Sequence, residues 1–255
     1  MPPSDPPGLT VLPVDAPVDP ADLLRLYVAP RGRPLVRMLF VASLDGAVEI
    51  GGTSAGLGGA MDRQLIGILR AAADGVLVGA GTLRRENYRA VRPLAARREW
   101  RLSAGFTEYP RLVVVSGSLD LDPAQAAFAN APVRPVVITS AAADSGRRAV
   151  IGEVADVLVH GTAEVDLAAA LAQLRADYGL DHLLCEGGPA LFGALHAAGL
   201  VDEVCLTISP LLAGAGAGRI IAGPAGALTR MKLQHAIAAD GYLFLRYTRE
   251  DDAGE

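Results

Sequence analysis

Residues 183–191 read Leu-Leu-Cys-Glu-Gly-Gly-Pro-Ala-Leu, an apolar run that ends in an acid, two glycines and a proline. The apolar run favours a buried strand, and the residues from Pro189 onward favour a helix. Gly187 and Gly188 carry no Cβ, so their backbone N–H groups can approach an anion closely. The start of a helix also attracts negative charge. The stretch therefore predicts a phosphate-binding turn or, more commonly for two glycines at such a junction, a simple tight connection.

Two other stretches repeat the pattern of an apolar strand that ends in small polar residues. Residues 76–84 read Val-Leu-Val-Gly-Ala-Gly-Thr-Leu-Arg, and residues 40–46 read Phe-Val-Ala-Ser-Leu-Asp-Gly. Ligands of α/β sheets bind beyond the carboxyl ends of the strands. The three strand ends therefore predict one shared crevice.

These stretches resemble the reductase domain of riboflavin biosynthesis, which is the C-terminal half of the bifunctional deaminase-reductase. The resemblance extends from about Val36 to Tyr247, and it is carried by Ser43-Leu44-Asp45-Gly46, Leu69-Arg70-x-x-x-Asp74, Val78-Gly79-Ala80-Gly81-Thr82, Glu186-Gly187-Gly188-Pro189 and Gly199-Leu200-Val201-Asp202-Glu203. The chain looks most like the stand-alone actinobacterial members of this family. The resemblance implies a dihydrofolate-reductase-like fold, NADPH as cofactor, a small-molecule substrate and a homodimer formed through the sheet.

The order of apolar runs indicates an α/β fold independently. Runs typical of strands buried on both faces are Val36–Ala42, Gly75–Val78, Leu112–Val115, Val136–Ile138, Val157–Val159, His182–Cys185 and Val204–Ile208. Helical patterns between them cover Asp62–Ala72, Asp166–Tyr178 and Ala190–Ala198. Near the end, Lys232–Ile237 and Tyr242–Tyr247 flank an Asp-Gly hairpin signal. We expect a mixed, mostly parallel central sheet flanked by helices, with a C-terminal antiparallel hairpin.

One reductase domain over residues 35–248 is predicted. An N-terminal arm over residues 1–34 would contain a short helix, Ala21–Tyr27, with Asp19 as its cap and Pro20 in its first turn. Residues 249–255 form a charged tail that we expect to fray.

Composition excludes several classes of function. Hydrophobic residues make up 51% of the chain, enough for a large core. The net charge of −5 and the pI of about 5.4 argue against a nucleic-acid surface. The sequence contains no apolar run long enough to span a membrane and begins without a signal-peptide pattern. We therefore expect a cytoplasmic protein with neither nucleic acid nor membrane as a partner.

The two cysteines, Cys185 and Cys205, both lie in apolar runs and are predicted to be buried thiols. Their number and spacing predict neither a disulfide framework nor a metal site. The His-x-Glu and Pro-Cys-x-x-Cys signature of zinc deaminases does not occur in the sequence, so we expect no deaminase activity.

The resemblance implies a cofactor site that spans several strand ends. Its predicted residues are Gly79, Gly81, Thr82, Glu86, Ser116, Thr139, Gly187, Gly188, Pro189, Ala190 and Leu191. Thr82 would donate its hydroxyl to a phosphate or, alternatively, cap a helix over Leu83–Glu86. Glu86 occupies a position where the family commonly has an Asp.

Some cofactor assignments have equally simple alternatives. Ser116 and Thr139 both follow apolar strands, where a hydroxyl also serves as a turn residue. A 2′-phosphate requires a cation, and Arg84 and Arg85 are the nearest in sequence. Either arginine could instead face solvent.

The substrate side is predicted to include Ser43, Asp45, Ser54 and Glu186. Glu186 is a candidate hydrogen-bond acceptor or, if partly desolvated, a proton donor. Asp45 is the second candidate for the catalytic acid, although Asp-Gly at a strand end is often only a turn. Asp62 opens a helix, and its simplest interpretation is capping.

One stretch departs from the family pattern. Riboflavin-pathway members usually continue the Gly-Thr-x-Arg stretch with Asp-Asp-Pro and a downstream Leu-Thr-x-Arg, part of which contacts the phosphorylated sugar. Residues 85–92 here read Arg-Glu-Asn-Tyr-Arg-Ala-Val-Arg, so Arg89 or Arg92 would replace the phosphate-binding arginine. The basic run Arg97–Arg101 is interpreted as a solvated face. Gly214–Gly218 is interpreted as a flexible loop, because no long helix follows it as in a Rossmann fingerprint.

Three functions remain open at this point. The first is NADPH-dependent reduction of a ribosylaminopyrimidine phosphate, with hydride delivered to C1 of the ribosylamino group. The alternative keeps NADPH and reduces dihydrofolate or another pterin. The second alternative, motivated by the altered residues 85–92, is a non-catalytic NADP-binding protein.

Overall fold

A single sheet of nine strands forms the centre of the structure, a computed structural model that describes residues 20–250. The strands are β1 (Leu35–Ser43), β2 (Gly75–Gly79), β3 (Arg111–Val115), β4 (Val136–Thr139), β5 (Asp156–Val159), β6 (His182–Cys185), β7 (Glu203–Ser209), β8 (Met231–Ala239) and β9 (Tyr242–Arg249). Their spatial order is β5-β4-β3-β2-β6-β1-β7-β9-β8. Strands β1 to β7 pair in parallel, whereas β9 pairs antiparallel with both β7 and β8. The predicted mixed, mostly parallel sheet is confirmed.

Helices cover the sheet on both faces. Within residues 20–250 they are α1 (Pro20–Tyr27), α2 (Ala60–Ala71), α3 (Ala80–Arg85), α4 (Ala95–Ser103), α5 (Ala126–Ala129), α6 (Ser145–Val154), α7 (Leu167–Tyr178) and α8 (Pro189–Ala197). The three long predicted helices are present within two residues of the expected bounds, and so is α1. Helix α3 was predicted only as an alternative, over Leu83–Glu86, and α4 to α6 were not predicted.

The core follows from the alternation of side chains along the strands. In β1, Met38 faces the layer that contains α7 and α8, where it belongs to a cluster with Leu171 and Leu195. The next residue, Leu39, faces the opposite layer and belongs to a cluster with Leu69 of α2. Strands β4 and β6 are buried along their whole length, as continuous apolar runs predict. The sheet is therefore a rigid platform for the loops at its carboxyl edge.

The C-terminal hairpin turns where the sequence indicates. Ala239 pairs with Tyr242, so only Asp240 and Gly241 form the loop. Both residues have positive φ values, 52° and 80°, as a two-residue type I′ turn requires. This turn chemistry fixes the register of β8 against β9.

Both cysteines are free and buried, as predicted. Burial raises the pKa of each thiol, of Cys185 and of Cys205, to about 12, so neither is a reactive thiolate at neutral pH.

The interpretation of Arg97–Arg101 as a solvated face is wrong for Arg101. This residue lies on α4 and is fully buried. Its guanidinium donates to the carbonyl oxygens of Ala71 and Thr107, each at 2.8 Å, and burial lowers its pKa to about 10. The arginine therefore joins the end of α2 to the loop after α4, because carbonyls at a helix end need donors.

Parts of the predicted terminal segments lie outside the described residues. These are residues 1–19 of the arm, with the Asp19 cap, and residues 251–255 of the tail. Strand β9 continues to Arg249, one residue past the predicted domain boundary.

Candidate functional site

A cavity of about 610 Å³ lies where β1, α3 and the turn between β6 and α8 meet. Strands β2, β6 and β1 are neighbours and parallel, so their carboxyl ends share one edge of the sheet. The side chains and backbone that surround the cavity belong to Leu39, Phe40, Val41, Val48, Glu49, Gly52, Ser54, Ala55, Gly58, Asp62, Arg63, Ile66, Thr82, Arg85, Glu86, Glu186, Gly188, Pro189, Ala190, Gly218, Arg219 and Ala222. The predicted crevice is thus present.

The turn between β6 and α8 comes close to its neighbours on both sides. A Cβ on Gly187, whose φ is +87°, would lie 2.9 Å from the Phe40 ring. A Cβ on Gly188 would lie 2.6 Å from the hydroxyl oxygen of Thr82. The carbonyl of Gly187 accepts a hydrogen bond from the backbone N–H of Gly79 at 2.7 Å. These contacts require glycine at both positions and hold the turn against α3.

Helix α8 begins at this turn with Pro189 in its first turn and Gly188 as its N-cap residue, without a side chain to cap it. The free N–H groups of such a helix start, together with its positive dipole end, suit an anion. Gly188, Pro189 and Ala190 all line the cavity. The chemistry of the turn therefore fits a phosphate or diphosphate.

Thr82 lines the same cavity opposite Gly188. Its alternative role as the cap of a helix over Leu83–Glu86 is wrong, because α3 begins at Ala80, three residues before Leu83, and has Gly79 as its N-cap. The hydroxyl is consequently available at the cavity wall.

Glu86 and Ser54 are brought together across the cavity. The carboxylate of Glu86 accepts a hydrogen bond from the backbone N–H of Ser54 at 2.8 Å. Both residues also line a second cavity of about 350 Å³ beside the first, whose lining shares Ile66, Thr82 and Glu186 with it. The site therefore consists of two adjoining spaces.

Glu186 stands between the two cavities in a network of donors. Arg70 of α2 donates through Nε and Nη2 to its two carboxylate oxygens at 2.6 and 2.7 Å, and the Tyr88 hydroxyl donates to the second oxygen at 2.6 Å. Burial, followed by the negative charge of Glu186, raises the pKa of Tyr88 well above its ordinary value, so Tyr88 remains a donor. This geometry favours Glu186 as a fixed, ionised acceptor over Glu186 as a proton donor.

Ser43 and Asp45 do not line the described cavities. Ser43 is buried, and its hydroxyl donates to the carboxylate of Asp45. That carboxylate also accepts the backbone N–H groups of Ala213 and Gly214 at 3.1 and 2.7 Å. The Ser43 hydroxyl, with these two amides, lowers the pKa of Asp45 to about 2. Asp45 therefore stays ionised and holds the loop after β7, which argues against a role as an acid.

Several predicted cofactor residues lie apart from the cavity wall. Ser116 follows β3, and its hydroxyl accepts the backbone N–H of Leu119 at 3.0 Å, which is turn chemistry. Thr139 ends β4, and its buried hydroxyl has no hydrogen-bond partner in the described part of the chain. Gly79, Gly81, Gly187 and Leu191 also lie outside the lining, and Leu191 belongs to the hydrophobic core.

The arginines near the site separate into two groups. Arg85 lines the main cavity and pairs with Glu49 at 3.6 Å, and Arg89 lines the second cavity. Arg84 instead donates to the carbonyl of Asp120, and Arg92 to that of Asn130, both at the exposed surface. Of the four candidates, only Arg85 and Arg89 are placed to meet a ligand.

Sequence reasoning missed two acidic groups of the cavity, Glu49 and Asp62. Asp62 was interpreted as a cap, yet its carboxylate accepts the Thr207 hydroxyl of β7 at 2.8 Å and lines the cavity. It is buried, and burial raises its pKa. The roles of Arg70 and Tyr88 were missed as well, because neither position indicates its partner without the fold.

Most of the chain matches a known protein family. A profile of the family described as "RibD C-terminal domain" matches residues 34–243, most of the chain. The chain belongs to the RibD C-terminal domain family. The predicted membership of the riboflavin-biosynthesis pyrimidine reductases is confirmed.

Several individual proteins that the chain resembles are named as reductases or as reductase-like. An Archaeoglobus fulgidus protein, 31% identical over 183 residues, is named 2,5-diamino-6-ribosylamino-4(3H)-pyrimidinone 5′-phosphate reductase; the match covers 71% of this chain and 83% of that one. A Methanothermobacter thermautotrophicus protein of the same name is 28% identical over 221 residues, covering 85% of this chain and 98% of that one. A solved pyrimidine reductase-like protein from Corynebacterium diphtheriae superposes with a TM-score of 0.79 at 28% identity, covering 86% and 93% of the two chains.

Clusters of metal-binding side chains and membrane-spanning helices are both absent from the described residues. Residues 20–250 contain no group of three or more His, Cys, Asp or Glu side chains that could hold a metal ion. Among the helices of the same residues, none is long and apolar enough to cross a membrane.

Proposed function

We propose that this protein reduces a ribosylaminopyrimidine 5′-phosphate with NADPH as the hydride source. The relatives of 31% and 28% identity are named as reductases of such a compound. The observation that carries the proposal is the pair of adjoining cavities, of about 610 and 350 Å³, joined at Thr82, Glu86 and Glu186. Two joined spaces suit two ligands that must react with each other.

The dinucleotide would be held by the wall formed by Thr82, Gly188, Pro189 and Ala190. The fit is supported by Gly188, where any side chain would collide with Thr82 and close the approach to the start of α8. When bound, NADPH supplies a hydride. Arg85 adds a positive charge within 3.7 Å of the position that a Gly188 Cβ would take, and so favours a phosphorylated ligand there.

The substrate would approach Glu186 and the second cavity. Arg70 and Tyr88 hold the Glu186 carboxylate in one orientation, so it can accept hydrogen bonds from amino or hydroxyl groups of the substrate without having to reorganise. Arg89 lines this space, is exposed, and is the cation available for a sugar phosphate. Although residues 85–92 depart from the family pattern, Arg89 would therefore bind the substrate phosphate in place of the arginine of that pattern.

The experiment is NADPH oxidation by the purified protein, followed by absorbance. The diamino pyrimidinone phosphate, its deaminated uracil counterpart and dihydrofolate are offered separately. Turnover of either ribosylaminopyrimidine supports the proposal, and the faster one identifies the substrate. Turnover of dihydrofolate alone would transfer the assignment to pterin reduction. Binding of NADPH without turnover of any of the three would favour the non-catalytic alternative.

We propose further that the protein is a homodimer that pairs through the hairpin edge of the sheet. Strand β8 is the last strand in the sheet order, nine residues long, and exposed Leu233 and Leu243 lie on the hairpin. An exposed edge strand with apolar side chains favours pairing with a second chain. Light scattering coupled to size exclusion tests this, and a monomeric mass at all concentrations would contradict it.

A further inference from the structure

Asp62 is the buried carboxyl group of the main cavity, and no Arg, Lys or His side chain forms an ion pair with it within residues 20–250. It lies in the first turn of α2 and reaches across to β7, where the Thr207 hydroxyl donates to its Oδ1 at 2.8 Å. The residue is 5% exposed. A carboxyl in such a place is costly to keep charged unless a cation pairs with it.

The second oxygen of Asp62, Oδ2, is directed differently. It has no hydrogen-bond donor among the described residues and lies beside Gly58, another residue of the cavity wall. A Cβ on Gly58 would come within 2.6 Å of this oxygen, so glycine at that position keeps it uncrowded. Because Thr207 donates its own proton to Oδ1, a proton carried by the carboxyl belongs on Oδ2, at the cavity.

None of the other charged groups that line this cavity forms an ion pair with Asp62 among the described residues. Glu186 is neutralised by Arg70, and Arg85 pairs with Glu49. Arg63, the next residue of α2, is exposed and lowers the pKa of Asp62 less than burial raises it. Glu86 and Arg219 also line the cavity but form no ion pair with Asp62 among the residues described. Two carboxyl groups in one site therefore have opposite surroundings, which is how enzymes separate an acceptor from an acid.

We propose that Asp62 is the proton donor of the reduction, acting through Oδ2. This inference rests on the proposed function. In the ring-opened substrate, the sugar carbon C1 forms a C=N double bond to the bridging nitrogen. Hydride adds to that carbon and forms a C–H bond, the electron pair of the C=N bond moves to nitrogen, and nitrogen takes the proton from Oδ2. The nicotinamide is oxidised, the carbon is reduced, and Asp62 is left as a carboxylate that water reprotonates.

The first test is the Asp62→Asn variant, which keeps an oxygen to accept the Thr207 hydroxyl but carries no transferable proton. General acids contribute roughly 10²- to 10⁴-fold to a rate, so kcat should fall by at least about 100-fold. The KM for NADPH and its affinity, measured by calorimetry without turnover, should stay within about threefold. The matched control is Asp177→Asn, an exposed aspartate on the surface of α7, which should behave as the unchanged protein.

The second test is the pH profile. An acid must be protonated, so kcat should fall as pH rises through the raised pKa of Asp62, and this limb should be absent in Asp62→Asn. The Thr207→Val variant removes a hydrogen bond that favours the ionised form of Asp62. The fall in kcat should therefore occur at higher pH in this variant. A purely structural role for the Asp62–Thr207 contact would not produce this displacement. Infrared difference spectra recorded at a pH below this fall in kcat should also show a protonated carboxyl band that Asp62→Asn lacks.

The outcomes separate the two proposals. If the unchanged protein reduces none of the offered substrates, the proposed function fails. If it is active and Asp62→Asn keeps its kcat within about threefold, or if the alkaline limb persists in that variant, Asp62 is not the donor and the function stands. If Asp62→Asn fails to fold, the pH profile of Thr207→Val and the infrared spectrum of the unchanged protein test the inference instead. The inference is overturned if kcat of Thr207→Val falls at the same pH as that of the unchanged protein, or if the protonated carboxyl band is missing.

Discussion

Replacing Gly188 with alanine tests the cofactor wall at its tightest point. The added Cβ would lie 2.6 Å from the Thr82 Oγ1 and 3.7 Å from an Arg85 nitrogen. The first distance is about 1 Å shorter than an ordinary contact between non-bonded atoms. Gly188 has φ of −77°, which alanine adopts without strain, so the effect is one of space at the cavity and not of backbone conformation.

Two costs follow from this collision, and they can be measured apart. Overpacking of this kind lowers the free energy of unfolding by about 1–3 kcal/mol. Loss of one charge-assisted hydrogen bond to a phosphate costs about 1.5–3 kcal/mol, which corresponds to roughly 10- to 100-fold weaker binding. We expect Gly188→Ala to fold with a lower melting temperature and to bind NADPH at least about tenfold more weakly.

The assay is a fluorescence titration of NADPH on the folded variant, with the melting temperature recorded on the same sample. Gly152→Ala is the matched control, because that glycine lies inside α6 with nothing within 4 Å of the added carbon. It should bind NADPH normally and melt at the same or a higher temperature. If folded Gly188→Ala binds NADPH as tightly as the unchanged protein, the dinucleotide does not lie against this turn and the reasoning is refuted.

Three further outcomes are expected. Arg85→Ala should raise the Kd for NADPH by about tenfold or more while the surface variant Arg84→Ala leaves it unchanged; equal effects in a titration would contradict the assignment. Arg101→Ala should lower the free energy of unfolding by at least about 3 kcal/mol in urea, since it leaves buried carbonyls without donors and opens a cavity; a change under about 1 kcal/mol would show that water replaces the guanidinium. Because burial raises the pKa of Asp62, the folded state holds its proton more tightly than the unfolded state, so this group makes stability fall as pH rises from the ordinary aspartate pKa toward the raised one. Asp62→Asn should therefore gain stability relative to the unchanged protein at neutral pH and lose that advantage in acid; an equal difference at both pH values would contradict it.

The positions of the strands could be predicted because parallel strands that are buried on both faces consist of continuous runs of apolar residues. The hairpin could be predicted because Asp240-Gly241 specifies a two-residue turn with positive φ. The crevice followed from the rule that ligands meet strand ends, and Thr82, Glu86, Ser54, Glu186 and the Gly188 turn are where that rule places them.

The rest depends on contacts between distant residues. Arg101 looks like part of a charged surface run, and only the end of α2 packed beside it shows why it is buried. Asp62 looks like a helix-start acid, and only β7 supplies the Thr207 hydroxyl 145 positions away. Asp45 looks like a site acid because it closely follows a strand, yet its partners come from the loop after β7. The local sequence pattern predicts which helix or strand a residue belongs to. The role of its side chain is decided by contacts with residues that are distant in the sequence.

The central claim is that this cavity brings a nicotinamide hydride and a ribosylaminopyrimidine together. The most direct measurement uses NADPH deuterated at both C4 positions of the nicotinamide ring, followed by mass spectrometry and NMR of the pyrimidine product. The account predicts one deuterium on the sugar-chain carbon bonded to the bridging nitrogen. A product that carries no deuterium there, or no product although NADPH binds, would contradict it.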